Sequence, residues 1–283
     1  MRIFDPHIHM TSRTTDDYER MAAAGVRALV EPAFWLGQPR TNAGAFTDYF
    51  DSLIGWEPFR AAQFGIRHHC TIGLNPKEAN DPRCREVLGL LPRYLAKDGV
   101  VAVGELGYDS MTPEEDEVFA AQLALAVEHE LPALVHTPHR DKHRGTLRTL
   151  DVVKESGIDA GMVVVDHLNE VTVGSVAGSG CWMGFSIYPG TKMSPDRMAA
   201  VLREYGPERM LVNSAADWGR SDPLLTLATG QAMLAAGFGD DDVDRVLWRN
   251  PVEFYAQSGR LDLSATDGQP AAFAGNSIAR GGN

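Results

Sequence analysis

Hydrophobic and polar positions along the chain follow two alternating regimes. Short apolar runs rich in β-branched residues recur at Ile3–His9, Val26–Glu31, Ile66–Ile72, Val100–Glu105, Pro132–His136, Met162–His167, Gly180–Phe185 and Met210–Asn213. Runs of this length and composition predict strands. Most of the intervals carry longer amphipathic stretches, at Asp16–Ala24, Glu86–Ala96, Glu114–Glu130, Arg144–Glu155, Pro195–Glu204 and Pro223–Ala236. Thr112 before Pro113 and two glutamates, and Ser194 before Pro195 and Asp196, are helix starts. Gly25, Gly157 and Gly237 stand where helices should stop. The interval between the second and third strands carries Pro39, Gly44 and Gly55 and reads as long and irregular. Eight strands alternating with helices predict a (β/α)8 TIM barrel, with an open doubly wound sheet as the runner-up. The barrel is placed at residues 1–260 as a single domain, and the Ala-, Gly- and Ser-rich residues 261–283 as a C-terminal tail without chemistry.

Composition narrows the class. Of 283 residues, 44% are hydrophobic and 23% charged, values of a globular chain long enough to bury one large core. Asp plus Glu number 38 against 26 Lys plus Arg, a net charge of −12. Such a surface repels phosphate backbones and anionic lipid, yet leaves room for an enzyme that holds one phosphate locally. The three cysteines form no CxxC pair, which predicts a reducing compartment and neither disulfides nor a thiolate zinc site. The opening residues lack an apolar signal core, and no apolar run approaches the ~18 residues of a membrane span. The expectation is a cytoplasmic protein without a membrane partner. No GxGxxG follows the first strand, and GxxxxGK[ST] and GxSxG are absent, which lowers nucleotide and serine-hydrolase readings.

The candidate chemistry starts at Asp5-Pro-His7-Ile-His9. Side chains two residues apart on a strand share a face, so His7 and His9 can reach one metal. Alone, the pair could equally be part of a hydrogen-bonded polar network. Further on, Glu105 ends the fourth strand, His136 the fifth and His167 the sixth, and Asp217 follows the eighth. In a (β/α)8 barrel these strand ends form one rim, where active sites are built. Several buried carboxylates and imidazoles on one rim call for a cation.

The order and placement of HxH, Gly104-Glu105-Leu106-Gly107, His136, His167 and Asp217 resemble the TatD-related metal-dependent hydrolases of the amidohydrolase-like barrels. The resemblance runs from His7 to about Tyr255 and includes Asn250-Pro-Val-Glu-Phe-Tyr255. It implies one metal on His7, His9, Glu105 and Asp217, a second on Glu105, His136 and His167, and Glu105 as the bridge. Two segments depart from the nucleases of that family. Asn75 stands where they commonly carry the histidine of Gly-x-His-Pro, and Asn213-Ser-Ala-Ala-Asp217-Trp replaces Glu-Thr-Asp. Imidazole and carboxylate ligands favour zinc, then manganese, iron or nickel; magnesium, which prefers oxygen ligands, is retained because family nucleases use it. Two divalent ions sharing a carboxylate activate a water, so the expected reaction is hydrolysis, with Asp217 as its proton carrier.

Rim loops supply candidate substrate contacts. Arg13, Lys77, His139 and Arg140 are expected to capture an anion, the last two in a basic loop with Lys142, His143 and Arg144. Each could instead be a solvated surface charge. Phe34, Trp35 and Trp218 could wall a pocket, and Asp166 and Asp222 could orient ligand histidines. His68 and His69 read as core, and His129 as surface. The leading expectation is hydrolysis of a small anionic ester, phosphoester before lactone or amide. The alternatives are a lactonase, amidohydrolase or deaminase, a TatD-like nuclease acting on nucleic acid, and a catalytically inactive metal- or partner-binding barrel.

Overall fold

The computed structural model describes residues 1–35, 37, 40–264 and 266–270. Eight strands run Ile3–Asp5 (β1), Val26–Pro32 (β2), Arg67–Ile72 (β3), Val100–Gly107 (β4), Ala133–His136 (β5), Val163–Asp166 (β6), Trp182–Ser186 (β7) and Met210–Asn213 (β8). They pair in parallel in the order β1 to β8. Two hydrogen bonds just beyond the strand ends draw the first and last strands together. Ala215 N–H donates to the His7 carbonyl and His9 N–H to the Ala216 carbonyl, each at 2.9 Å. The expected barrel is therefore present, and all strand C-termini lie on one rim.

β1 is shorter than its apolar pattern predicts. Pro6 has no N–H to give the ladder, and the Asp5 carboxylate accepts from His7 N–H at 3.1 Å, turning the chain out of the strand. The interval between β2 and β3 is helical where irregular chain is expected: helices span Ala43–Asp51 and Glu57–Ala62, joined by a wide π-turn at Ser52–Trp56. Asn42 caps the first through Ala45 N–H, and the buried Phe46, Tyr49, Phe50 and Leu53 have the i, i+3, i+4, i+7 spacing of one helix face. Leu36 and Pro39 of that interval lie outside the described residues. The single helix expected at Glu86–Ala96 is divided into a 3-10 turn, Arg85–Gly89, and a helix, Leu91–Leu95. Pro92 explains the break, because it fits a first turn and not a helix interior.

Alternate strand residues face opposite ways and build two cores. One set packs outward against the helices. The other brings Phe4, Val30, Ala102, Leu134, Val164, Trp182 and Leu211 from seven strands into a single cluster, which only a barrel interior permits. Phe254 and Tyr255 of the helix Asn250–Ala256 join that cluster and plug it, and Leu261 and Leu263 pack on it from outside the helix. Residues 271–283 of the expected tail lie outside the described residues. His68 and His69 are buried, the first 2.9 Å from Glu31 Oε2 and the second accepting from Asp262 N–H at 3.1 Å. Cys70, Cys84 and Cys181 are buried free thiols. Among the described residues no helix is long and apolar enough to cross a membrane.

Candidate metal centre

At the C-terminal rim the structure brings together His7, His9, Glu105, His136 and His167. Three groups have donor atoms within 4.8 Å of one another: His7, His9 and Glu105; Glu105, His136 and His167; and His7, Asp166 and His167. Glu105 joins the first two. Its Oε1 lies 2.8 Å from His136 Nδ1, 3.1 Å from His167 Nε2 and 3.9 Å from His7 Nε2. Its Oε2 accepts from Asn75 Nδ2 at 2.8 Å. Asn75 thus clamps the carboxylate by a donor, while its own oxygen takes Lys77 N–H and starts the next turn.

Burial opposes a charge on Glu105, but His136, then His167 and His7, outweigh it and hold its carboxyl well below the ordinary range. Burial, reinforced by cationic neighbours, pushes the His9 and His167 imidazoles well below theirs, toward the neutral form that metals require. Burial also works against protonation of His7, yet its bond to Asp166 and the nearby carboxylates raise its affinity for a proton. A field that draws a proton to His7 draws a cation by the same attraction.

Asp166 fixes that ring. Its Oδ2 lies 2.6 Å from His7 Nδ1, which turns His7 Nε2 toward His9 Nε2 at 3.1 Å. Carboxylate, imidazole and metal in series is a common way to set tautomer and basicity. Asp166 also accepts from Asn213 Nδ2 and, at 2.6 Å, from His167 N–H. There is room for it because residue 184 is glycine; a Cβ there would collide with Asp166 Oδ1. His167 sits at φ +62°, a left-handed conformation that a non-glycine residue adopts at a cost of about 1 kcal/mol. The Asp166 bond and Ser186 Oγ, 2.6 Å from His167 Nδ1, hold it there.

The donor set fits a metal on three counts. The ligands are nitrogen and carboxylate oxygen, the buried His136 Nε2 has no partner among the described residues, and one carboxylate is shared by two histidine pairs. Asp217 is not drawn into these groups. It lines the same cavity, of about 400 Å3, with Oδ1 accepting from Tyr188 O–H at 3.1 Å and Gly219 N–H at 2.7 Å.

The other expected contacts divide. Lys77 and His139 line the cavity; Lys77 Nζ is paired with Asp109 at 2.6 Å and lies over the Trp35 ring. Arg140 lines an adjoining hollow with Lys77 and Asp109. Arg13 instead braces the rim, donating to Asp17 and to the Asp217 carbonyl. Asp222 is engaged at the surface with Arg20, away from the histidines. His129 is half-buried at a helix end rather than fully on the surface. Phe34 stacks on His9 with ring centroids 3.8 Å apart, and Trp218 packs against Phe34 and Trp35. Lys192, six residues beyond β7, points in as well: its Nζ is 3.0 Å from His167 Nδ1. Burial lowers the Lys192 pKa against the pull of Asp166, Glu105 and Asp217, and lowers that of Lys142 to about 8.

Comparison with known proteins agrees with this geometry. The sequence profile described as TatD related DNase matches residues 4–231. An uncharacterised metal-dependent hydrolase of Methanocaldococcus jannaschii is 26% identical over 257 residues, covering 89% of this chain and 99% of its own. A protein described as a 3'-5' ssDNA/RNA exonuclease, from Pectobacterium carotovorum, is 30% identical over 154 residues, half of each chain. The crystal structure of a TatD-like protein from Archaeoglobus fulgidus superposes with a TM-score of 0.76 at 25% identity, covering 89% of this chain and 99% of that one.

Proposed function

Because the chain belongs to the family of TatD-related DNases and is a metal-dependent hydrolase, we propose that it cleaves a small anionic ester, a phosphoester before a lactone or amide, at a two-ion centre. His7, His9, Glu105, His136 and His167 hold the ions, and Asp217 carries the proton. The observation that supports this most is the Glu105 carboxylate shared between two histidine pairs. Divalent ions held there, zinc first and manganese, iron, nickel or magnesium after it, supply Lewis acidity and bring the pKa of a water toward neutrality.

The protein's own groups divide the remaining work. Asn75 and Asp166 keep Glu105 and His7 aimed inward. Phe34, Trp35 and Trp218 give the cavity an aromatic wall. Lys77 and His139 line the same cavity and offer donors to an anion in it. Tyr188 and Gly219 fix Asp217 Oδ1, and Oδ2 has no hydrogen-bond partner among the described residues, so it is the oxygen available to take a proton. The size of the cavity and the net charge of −12 favour a small substrate over a polynucleotide. Asn75 in the histidine position of the nucleases points the same way.

The test is single-turnover hydrolysis of small phosphoesters, lactones and single-stranded DNA, beside elemental analysis of each preparation. About two transition-metal ions per chain are expected, with phosphoesters cleaved and DNA slow. Asp217→Asn keeps the metal and loses turnover by at least ~100-fold, the usual size of lost proton transfer. Lys77→Ala mainly raises KM. DNA cleaved while phosphoesters stay inert would replace the reading with exonuclease; bound metal without any turnover would favour an inactive barrel.

A further inference from the structure

Beside the metal centre, across the His167 ring, lies a second cavity of about 380 Å3. Lys142, Lys192 and Arg197 contribute cations to its wall, His139, Asn169 and Thr191 contribute polar groups, and no acidic residue lines it. In a chain of net charge −12 this is a local reversal of sign. Among the described residues neither lysine is paired with a carboxylate. Lys142 Nζ reaches only neutral acceptors, Thr137 Oγ1 at 3.0 Å and the Pro138 carbonyl at 3.4 Å. The carboxylate of Asp166, whose charge acts on both, is already taken by His7, Asn213 and the His167 N–H.

Lys192 has no lasting partner either. It and Ser186 Oγ approach the same atom, His167 Nδ1, at 3.0 and 2.6 Å. A neutral imidazole that ligates through Nε2 carries its proton on Nδ1. That proton can be given to Ser186, and Nδ1 then cannot accept from an ammonium. Ligation through His167 Nε2 therefore leaves the Lys192 donors without an acceptor. Arg197 holds the loop in place: it donates to the Lys192 carbonyl at 2.6 Å and is itself paired with Glu170.

We propose that this cavity is a subsite for a second oxyanion of the substrate, a phosphate or a carboxylate, held between Lys142 and Lys192. The substrate is then a small ester with a second acidic group, one anion at the metal centre and one beyond His167. That this oxyanion is the substrate's second one rests on the hydrolase reading above; the binding of an oxyanion between the lysines does not.

The test titrates the full zinc-loaded chain calorimetrically with three non-hydrolysable probes: methylphosphonate, propane-1,3-bisphosphonate and 4-phosphonobutyrate. At least one two-anion probe should bind about tenfold or more tighter than methylphosphonate, the size of one charge-assisted hydrogen bond. Which of the two gains more tells phosphate from carboxylate. Lys142→Met and Lys192→Met should each erase the gain, and Lys142→Arg should keep it. If Lys192→Met does not fold, as judged by circular dichroism, Lys142→Met and Lys142→Arg decide. No gain in the wild type, or an equal gain in the methionine variants, overturns the subsite, the latter by placing the second anion on the metals. Absence of hydrolysis across the substrate panel with the gain intact would remove the reaction and leave the subsite standing.

Discussion

At the entry end of the strands the barrel axis is filled by Phe4, Val30, Leu134, Val164, Trp182, Leu211, Phe254 and Tyr255. At the exit end, a few residues further along the same strands, it is filled by His7, Glu105, His136 and His167. Both ends are buried, and for opposite reasons. Each apolar side chain at the entry end is stabilised by leaving water, at about 1.5–3 kcal/mol when fully buried, with dispersion added. Each ionisable group at the exit end loses hydration and must recover it from a neighbour. The recovery there is extensive but incomplete. Asp166 and Glu105 accept from several donors, whereas His136 Nε2 faces no partner among the described residues, a deficit that a bound metal ion would fill. The entry end therefore carries stability and the exit end holds the candidate metal centre, the division expected for this fold.

The largest effect that tests this division is Phe254→Ala. Phe254 is fully buried, packed on Trp182 at 5.6 Å and on Tyr255 at 5.0 Å between ring centroids. Its removal should destabilise the fold by about 3–5 kcal/mol and leave metal content per folded molecule unchanged. Urea titration and elemental analysis of the soluble fraction check this. A loss below about 1 kcal/mol would mean that the plug is not what holds the barrel.

The converse is Asp166→Asn. The side chain keeps its volume but loses the charge that orients His7 and supports His167. Metal affinity, measured by competition with a chromogenic chelator, should fall about 10–100-fold, while the urea midpoint of the metal-free protein moves little. Unchanged affinity would show that His7 is oriented by packing alone.

The same contrast explains what could be read from the sequence. Ligand candidates at strand ends were legible because each follows an apolar run: Ala133-Leu134-Val135-His136 and Val164-Val165-Asp166-His167 announce both the strand and its rim. The barrel followed from the same runs. Asp166 was legible as a neighbour of His167, though its bond to His7 crosses 159 residues. Asn75 could be noticed as a departure, yet its grip on Glu105 depends on a contact between β4 and the turn after β3. Lys192 had no signal at all, since it lies on an aperiodic loop closed by backbone bonds from Met193 to Ser186 and from Lys192 to Tyr188. The helix Ala43–Asp51 was missed: its apolar spacing is present in the sequence, but Pro39, Gly44 and Gly55 make the interval read as irregular.

The smallest effect probes the direct bond that Tyr255 makes between the two ends. Tyr255 O–H donates to the Pro6 carbonyl at 2.7 Å, one residue before His7, while its ring stacks on Phe4 at 6.0 Å. Tyr255→Phe keeps the ring and leaves a buried carbonyl without its donor. The expected cost is about 1 kcal/mol of stability, the low end of the penalty for a buried acceptor left unpaired. If the two ends are energetically separate, metal affinity should stay within roughly twofold, the scatter seen for independent sites. His7 has its own bracing to support that expectation: its N–H is held by Asp5, its carbonyl by Ala215 and its ring by Asp166. Urea titration and chelator competition on one preparation measure both quantities. A drop in metal affinity as large as the drop in stability would show that the plug positions His7 through Pro6, and the two ends would then have to be treated as one cooperative unit.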